Sequence, residues 1–301
     1  MKKFSVLLAT FAACVSPIWA GSVETRFVAD EETEKTPLDL FDLESSYVFG
    51  SELSEDDDDN FEDQDAFSFR VEYAHRFHLS GRWYLRAGVA YDRFDFGGTS
   101  APVPNQLHSL AGVISLDYMV GADRGAFLEF RPGFYAQDEF RSESFDVPIT
   151  LARAWVLQPK KLFLITGVNV AFLRGQFPVL PLIGIVWHPC DQWVLYGVVP
   201  EPRLIYMPNK KLDLWIGGEI AGGSFRTNRS DTIVPQRLSN AQVDYTEYRA
   251  GLGLVLHATD SVDLDIGGGY SFQRRFNFER AGEEFTADPA PYVRVAVKAA
   301  F

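Results

Sequence analysis

The sequence predicts an all-β protein, a transmembrane antiparallel up-and-down β-barrel of fourteen strands. Three observations predict it: a secretory signal at the start, many segments that alternate between apolar and polar residues, and short turns that alternate with long polar connections. Of the 301 residues, 47% are hydrophobic and 14% aromatic, and 41 acids against 28 bases give a net charge of -13. A nucleic-acid partner is therefore not expected, because phosphates require a basic surface.

Residues 1–20 have the pattern of a cleaved signal peptide. Lys2 and Lys3 precede an apolar run over 4–15, and Ala20 followed by Gly21 fits a cleavage site. The run is too short to span a bilayer as a helix. The alternative is a lipoprotein signal that ends at Cys14. We expect a periplasmic N-terminal segment at 21–43, a barrel at 44–301, and a location in the cell outer membrane of a Gram-negative-type envelope.

The chain after the signal alternates with a period of two. In the last strand Val293, Val295 and Val297 share one face, while Arg294 and Lys298 share the other. The same pattern predicts strands at about 44–50, 67–79, 82–96, 108–120, 126–137, 148–157, 162–173, 181–188, 193–199, 203–207, 212–222, 243–256, 262–275 and 290–301. Prolines crowd residues 178–208, so twelve strands are the alternative count.

The connections differ in length at the two ends of the predicted strands. Short links lie near 80–81, 121–125, 158–161, 189–192, 208–211 and 257–261, and long polar links lie near 51–66, 97–107, 138–147, 223–242 and 276–289. This layout is typical of outer-membrane barrels, with a soluble β-sandwich as the alternative. Aromatic residues near strand ends predict two interfacial girdles: Tyr91, Phe94, Phe134, Tyr135, Trp187, Trp193, Tyr206, Tyr270 and Phe272.

Three stretches carry a resemblance to a known family. They are Pro181–Tyr206, with the runs PLIGIVW and WVLYGVVP, Asp244–Gly253 (DYTEYRAGLG), and Gly269–Phe276 (GYSFQRRF). Together they resemble the bacterial outer-membrane barrels grouped as domain of unknown function 6268, over roughly residues 65–301. The resemblance implies an outer-membrane barrel and brings no known substrate or catalytic residue with it.

The inward faces of the predicted strands carry charges of both signs. We expect them to line the lumen: Arg70, Glu72, Arg86, Asp92, Asp117, Glu129, Arg131, Asp213, Glu219, Glu247, Arg249, Asp263, Asp265, Arg294 and Lys298. One interpretation is a charged aqueous lumen that filters small solutes. The other is a closed interior held by salt-bridge ladders. The width expected of twelve to fourteen strands favours a lumen, which loops or the 21–43 segment could plug.

An acidic external loop is predicted at 51–66, with nine acids between Glu52 and Asp65. Weak binding of Ca²⁺ or Mg²⁺ is one hypothesis, for which the candidate ligands are Asp56, Asp57, Asp58, Asp59 and Glu62. The segment is not an EF-hand, because Phe61 and Phe67 occupy the positions that need Gly and Glu. The alternative is a solvated loop without a ligand. No other cofactor is expected.

The sequence contains no Gly-x-Ser-x-Gly or His-Glu-x-x-His motif, and we predict that the protein is not an enzyme. Terminal Phe301, after alternating apolar residues, resembles the signal that the barrel-assembly machinery reads. The other expected partners are outer-membrane lipid and lipopolysaccharide. The predicted function is a pore for passive or selective passage of small solutes. The alternative is a closed structural or adhesive barrel whose loops bind ions, surface sugars or partners.

Overall fold

The computed structural model of the protein describes residues 36–55, 59–120, 123–175, 177–230 and 233–301. The predicted signal peptide, its cleavage site at Ala20 and Gly21, and most of the 21–43 segment lie outside these residues. The described chain forms seventeen strand segments. They are β1 Asp39–Glu55, β2 Asp59–Ser80, β3 Trp83–Phe96, β4 Gln106–Val120, β5 Asp123–Phe130, β6 Gly133–Ala136, β7 Phe145–Asp146, β8 Ile149–Gln158, β9 Leu162–Val170, β10 Val179–Cys190, β11 Trp193–Val198, β12 Arg203–Asn209, β13 Leu212–Arg226, β14 Gln242–Thr259, β15 Val262–Phe278, β16 Glu283–Ala287 and β17 Ala290–Ala300.

The seventeen segments make fourteen barrel strands, because β5 with β6, β7 with β8, and β16 with β17 each form one interrupted strand. Each interruption contains a proline: Pro132, Pro148 and Pro289. Proline has no backbone N–H to donate, so the ladder breaks there while the chain keeps its direction. The predicted count of fourteen is confirmed.

The barrel closes between its first and last strands. β1 pairs antiparallel with β2 on one side and with β17 on the other, where the register runs from Leu40 opposite Ala300 to Val48 opposite Tyr292. The backbone N–H groups of Leu38 and Asp39 donate to the carbonyl of Phe301 at 2.9 and 2.8 Å. Closure pairs the backbone groups of every wall strand, which a hydrocarbon environment requires.

The outer face of the wall is apolar. Val89, Ile183, Ile216 and Leu252 are each more than half exposed, as expected of side chains that contact lipid. Trp83, Trp155, Trp187 and Trp193 are exposed beside the short turns and form an aromatic girdle at that end. No helix in the described part of the chain is long and apolar enough to cross a membrane.

Two of the predicted long loops are strands instead. β1 continues to Glu55 and β2 starts at Asp59, so the predicted acidic loop 51–66 is largely a tall hairpin. β15 continues to Phe278 and β16 covers Glu283–Ala287, within the predicted loop 276–289. The reason is mutual pairing, since Leu53 lies opposite both Phe61 and Ala287. The barrel also begins at Asp39 and not at residue 44.

The end with the longer connections, here called the loop end, is narrower than the opposite turn end. β11 and β12 have only six and seven residues, and their last partners are Gly184 of β10 and Gly217 of β13. Beyond them the top of β13 reaches β6, where Arg226 pairs with Ala136. Above the β11–β12 hairpin, the wall therefore closes through the contact between β13 and β6.

The loop end is filled from inside by a buried apolar cluster. Its centre is an aromatic group in which Phe96 lies 4.8 Å from Phe276 and 4.9 Å from Tyr245, between ring centroids. Phe94 and Tyr135 belong to this cluster and are each 4% exposed. Their assignment to an interfacial girdle was wrong, because both side chains point inward. Trp187, Trp193, Tyr270 and Phe272 are exposed, as a girdle requires.

Candidate functional site in the barrel interior

The inward-facing charges form ion pairs with one another. Thirteen of the fifteen side chains predicted to line the lumen take part: Arg70, Glu72, Arg86, Asp92, Asp117, Glu129, Arg131, Glu219, Glu247, Arg249, Asp265, Arg294 and Lys298. The other two, Asp213 and Asp263, contact His257. The structure thus places them inside the barrel but shows a paired interior. The role of these residues as the lining of an open path stays a prediction.

One group of pairs lies on β2 to β5 and is called here the Arg86 cluster. The Arg86 guanidinium donates to Glu72 at 3.3 Å and to Asp117 at 3.2 Å, and it also pairs with Glu129. Arg131 donates to Glu72 at 2.8 Å and to Glu129 at 2.7 Å. Two guanidinium groups therefore share three carboxylates from neighbouring strands, and the Arg86 side chain is only 3% exposed.

The second group, the Arg294 cluster, joins more distant parts of the wall. Arg294 on β17 lies 3.2 Å from Glu44 of β1, 3.2 Å from Glu219 of β13, 3.6 Å from Asp265 of β15 and 3.8 Å from Glu201 of the β11–β12 turn. Its side chain is 1% exposed. Four carboxylates on four elements converge on one guanidinium, so these side chains bridge the interior.

Trp215 supports this second cluster. Its indole Nε1 donates to Asp265 at 2.9 Å, and the guanidinium carbons of Arg203 and Arg294 lie 4.3 and 5.9 Å from its ring. The ring lies flat on the backbone at Gly253 and Gly267, where an added Cβ would come within 2.5 Å of its Cζ2. These glycines are required for the close approach of the ring.

A small cavity with room for about one water molecule lies beside the Arg294 cluster. The charged side chains along its wall are Glu44, Glu201 and Glu219 from the cluster, and Arg70 with Asp92 from β2 and β3. Arg70 Nε is 2.5 Å from the Asp92 carboxylate. The lining therefore carries four carboxylates and one guanidinium.

The turn end holds a smaller group of charges. His257 contacts Asp263 at 2.6 Å through Nδ1 and Asp213 at 3.1 Å through Nε2, which joins β13, β14 and β15. Lys298 lies 4.0 Å from Asp42. His257 lies within β14, and His188 lies within β10.

The inward face of β9 to β12 is different, because it is apolar. Phe163, Ile165, Val186, Val194 and Tyr196 form a second buried cluster there. Both faces of these strands are thus apolar in their turn-end half, which explains why alternation was weakest over this part of the sequence. Apart from Glu201 and Arg203 at the loop-end tip of the β11–β12 hairpin, the charged clusters therefore lie on the rest of the wall.

The predicted cation ligands are only partly described. Asp56, Asp57 and Asp58 lie outside the described residues, and Asp59 begins β2. Glu62 accepts hydrogen bonds from the Ser100 hydroxyl at 2.6 Å and the Ser100 N–H at 2.8 Å. These bonds lower the pKa of Glu62 to about 2. Among the described residues no group of three or more acidic, His or Cys side chains is placed to hold a metal ion, so the Ca²⁺ or Mg²⁺ hypothesis stays a prediction.

The sequence did not single out several interior residues. Glu201 and Arg203 were hidden in the proline-rich segment, where Arg203 bridges Glu201 at 3.0 Å and Asp265 at 2.9 Å. Their spacing of two residues, which places two side chains on the same face of an extended chain, was the available signal. Arg124, 3.6 Å from Glu129, lies beside a short turn and was taken as a turn residue.

Comparisons with known proteins yield similar folds only. No family model matches the chain, so the resemblance to domain of unknown function 6268 stays a prediction, and no curated protein matches. Among solved structures, an outer membrane channel from Pseudomonas putida F1 is 12% identical, with 93% of this chain and 100% of that chain covered and a TM-score of 0.46. The Pseudomonas putida toluene transporter TodX is 10% identical (96% and 95% covered, TM-score 0.35), and the NanC porin is 10% identical (86% and 98% covered, TM-score 0.37). Similarity at this level carries no argument about function.

Proposed function

We propose that the protein is an outer-membrane channel for small solutes, in an envelope of the Gram-negative type, with a lumen that is closed in the described state. The single observation that supports this most is the ion-paired filling of a wide wall. Replacing a buried ion pair by apolar side chains of similar volume is often neutral or stabilising. Such pairs can hold a closed interior together, but they also give the wall the polar surface that a lumen filled with water requires.

A second candidate is a closed structural or adhesive barrel. The buried apolar cluster at the loop end favours it, because rings such as Phe96 and Phe276 exclude water from that part of the interior. The tall β1–β2 hairpin would then present its acids to ions, surface sugars or partners. The two candidates differ in whether ions cross the folded barrel.

The test is single-channel conductance of detergent-purified, heat-modifiable protein in a planar bilayer. Discrete current steps are expected for a channel. Arg70→Gln removes an inward charge that lines the cavity, and Arg93→Gln removes one from an exposed pair with Asp95. Arg70→Gln should shift the reversal potential towards cation preference, and Arg93→Gln should leave it unchanged. Silence from folded wild-type protein would refute the channel and favour the closed barrel.

A further inference from the structure

One guanidinium group occupies the place where the interior is bridged. The Arg294 guanidinium nitrogens lie 3.2 to 3.8 Å from four carboxylates, which come from β1, the β11–β12 turn, β13 and β15. Glu201 lies at the tip of the short β11–β12 hairpin, whereas Arg294 lies on β17, four strands further around the wall. Arg294, together with Arg203 that pairs with Asp265 on β15, therefore links the β11–β12 hairpin to strands with which it makes no backbone pairing.

The position of Arg294 is fixed by its surroundings. Trp215 holds Asp265 with a 2.9 Å hydrogen bond and lies 5.9 Å below the guanidinium. Planar guanidinium groups stack on aromatic rings and form several hydrogen bonds at once, which a lysine ammonium does not do in the same geometry. The arrangement thus suits Arg294 in particular and leaves it few other orientations.

The cavity beside the Arg294 cluster is lined by carboxylates that also contact Arg294. Glu44, Glu201 and Glu219 contact Arg294 on one side and line the small cavity on the other. None of the Arg86 cluster borders that cavity. Withdrawal of Arg294 would therefore enlarge existing space, whereas withdrawal of Arg86 would not.

We propose that Arg294 is the side chain that closes the lumen at mid-height, and that the four carboxylates around it make the opened lumen prefer cations. The inference rests on the proposed channel function. Arg294 supplies one positive charge to Glu44, Glu201, Glu219 and Asp265 while it bridges them, and Arg203 and Arg249 supply two more. Once the Arg294 guanidinium moves away, four carboxylates face two guanidinium groups, so the path carries a net negative charge and attracts positively charged solutes.

The test compares Arg294→Gln with Arg86→Gln, a matched loss of one buried guanidinium that is shared by several carboxylates. Arg294→Gln should raise the conductance of the folded barrel above that of wild type and shift its reversal potential towards cations. Arg86→Gln should show neither change. Equal conductance of wild type and Arg294→Gln, or an equal rise in both variants, would overturn the proposal.

A charge-balanced variant covers the case in which Arg294→Gln fails to fold. Arg294→Gln combined with Glu219→Gln removes one charge of each sign and leaves three carboxylates at the site. It should fold to a heat-modifiable barrel and conduct like the single variant. A folded double variant with wild-type conductance would count against the proposal in the same way.

A chemical readout separates this proposal from the channel function. Ser68 lines the cavity, so Ser68→Cys in a Cys190→Ser background reports access by a cationic thiol-specific methanethiosulfonate reagent. Labelling should be faster when Arg294→Gln is added. Faster labelling without conductance would uphold the closing role and refute the channel. Conductance in wild type, together with a labelling rate that Arg294→Gln leaves unchanged, would uphold the channel and refute the closing role of Arg294.

Discussion

The contact between Trp215 and the strand backbone allows a sharp test of how the interior is built. Gly267 on β15 lies beneath the indole, and an alanine there would place its Cβ 2.5 Å from Trp215 Cζ2 and 2.8 Å from Cη2. Carbon atoms attract one another best at roughly 3.5–4.0 Å, so the ring must move by about 1 Å. We therefore expect Gly267→Ala to destabilise the barrel.

The size of the effect follows from what that movement disturbs. Overpacking of this kind typically costs about 1–3 kcal/mol. The same movement lengthens the 2.9 Å hydrogen bond from Trp215 to Asp265, and a bond to a charged group contributes about 1.5–3 kcal/mol. Because part of either term relaxes, we expect a loss of about 2 kcal/mol in the free energy of unfolding.

Urea titration of the refolded barrel in detergent, followed by far-ultraviolet circular dichroism, measures this loss. The matched control is Gly112→Ala on β4, where a Cβ meets its nearest neighbour at 3.8 Å, an ordinary contact. Adding Trp215→Leu should remove most of the cost of Gly267→Ala, because the clashing ring is gone. If Gly267→Ala is as stable as Gly112→Ala, or if its cost persists without the indole, the packing argument is refuted.

Three further predictions concern other parts of the chain. Phe301→Ala should block assembly in cells yet refold in detergent like wild type. The reason is that the ring is 62% exposed, while the backbone of Phe301 closes the β1–β17 ladder. Normal assembly in cells would contradict the prediction that Phe301 is part of the assembly signal. Asp146→Asn should destabilise the β9–β10 connection by about 1 kcal/mol, because the Asp146 carboxylate accepts hydrogen bonds from the N–H groups of Phe172 and Leu173 at 3.1 and 3.0 Å. Hydrogen exchange at those two amides should become faster, and unchanged exchange rates would refute the prediction. Because the pKa of Glu62 is lowered, the hydrogen bond from Ser100 to the Glu62 carboxylate should persist from neutral pH down to about pH 2 and be lost as the pH falls further. An NMR titration of the Glu62 carboxyl with a midpoint near 4.5 would contradict the prediction.

The strands were predictable because lipid and interior impose opposite demands on alternate residues. Strand number followed from that pattern even where Pro132, Pro148 and Pro289 interrupt the ladder. Strand ends were not predictable, because the tops of β1 and β2 depend on pairing with β16, which is distant in sequence. Acids such as Glu52 and Asp63 led to the prediction of a loop, although they are exposed residues of a β-hairpin.

The interior was only half predictable. Alternation assigned the charged residues to the inward face, but it carries no information about which strands face each other across the lumen. Pairing of Arg294 with Glu201 and Glu44 depends on the closed shape of the wall and on the low height of the β11–β12 hairpin. The sequence therefore left an open lumen and a salt-bridged interior as alternatives, and the structure shows the interior charges in ion pairs.

Two layers of different chemistry close the interior, and they predict different behaviour from its two sides. The aromatic cluster around Phe96, Tyr245 and Phe276 fills the loop end, while the Arg294 cluster bridges the middle. An apolar layer keeps water away and so strengthens the ion pairs beside it, because charges interact more strongly at low dielectric. If Arg294 is the barrier on the turn-end side, Arg294→Gln speeds labelling of Ser68→Cys from that side first. Equal acceleration from the loop end would mean that the aromatic cluster opens together with the ion pairs, so that the two layers act as one gate.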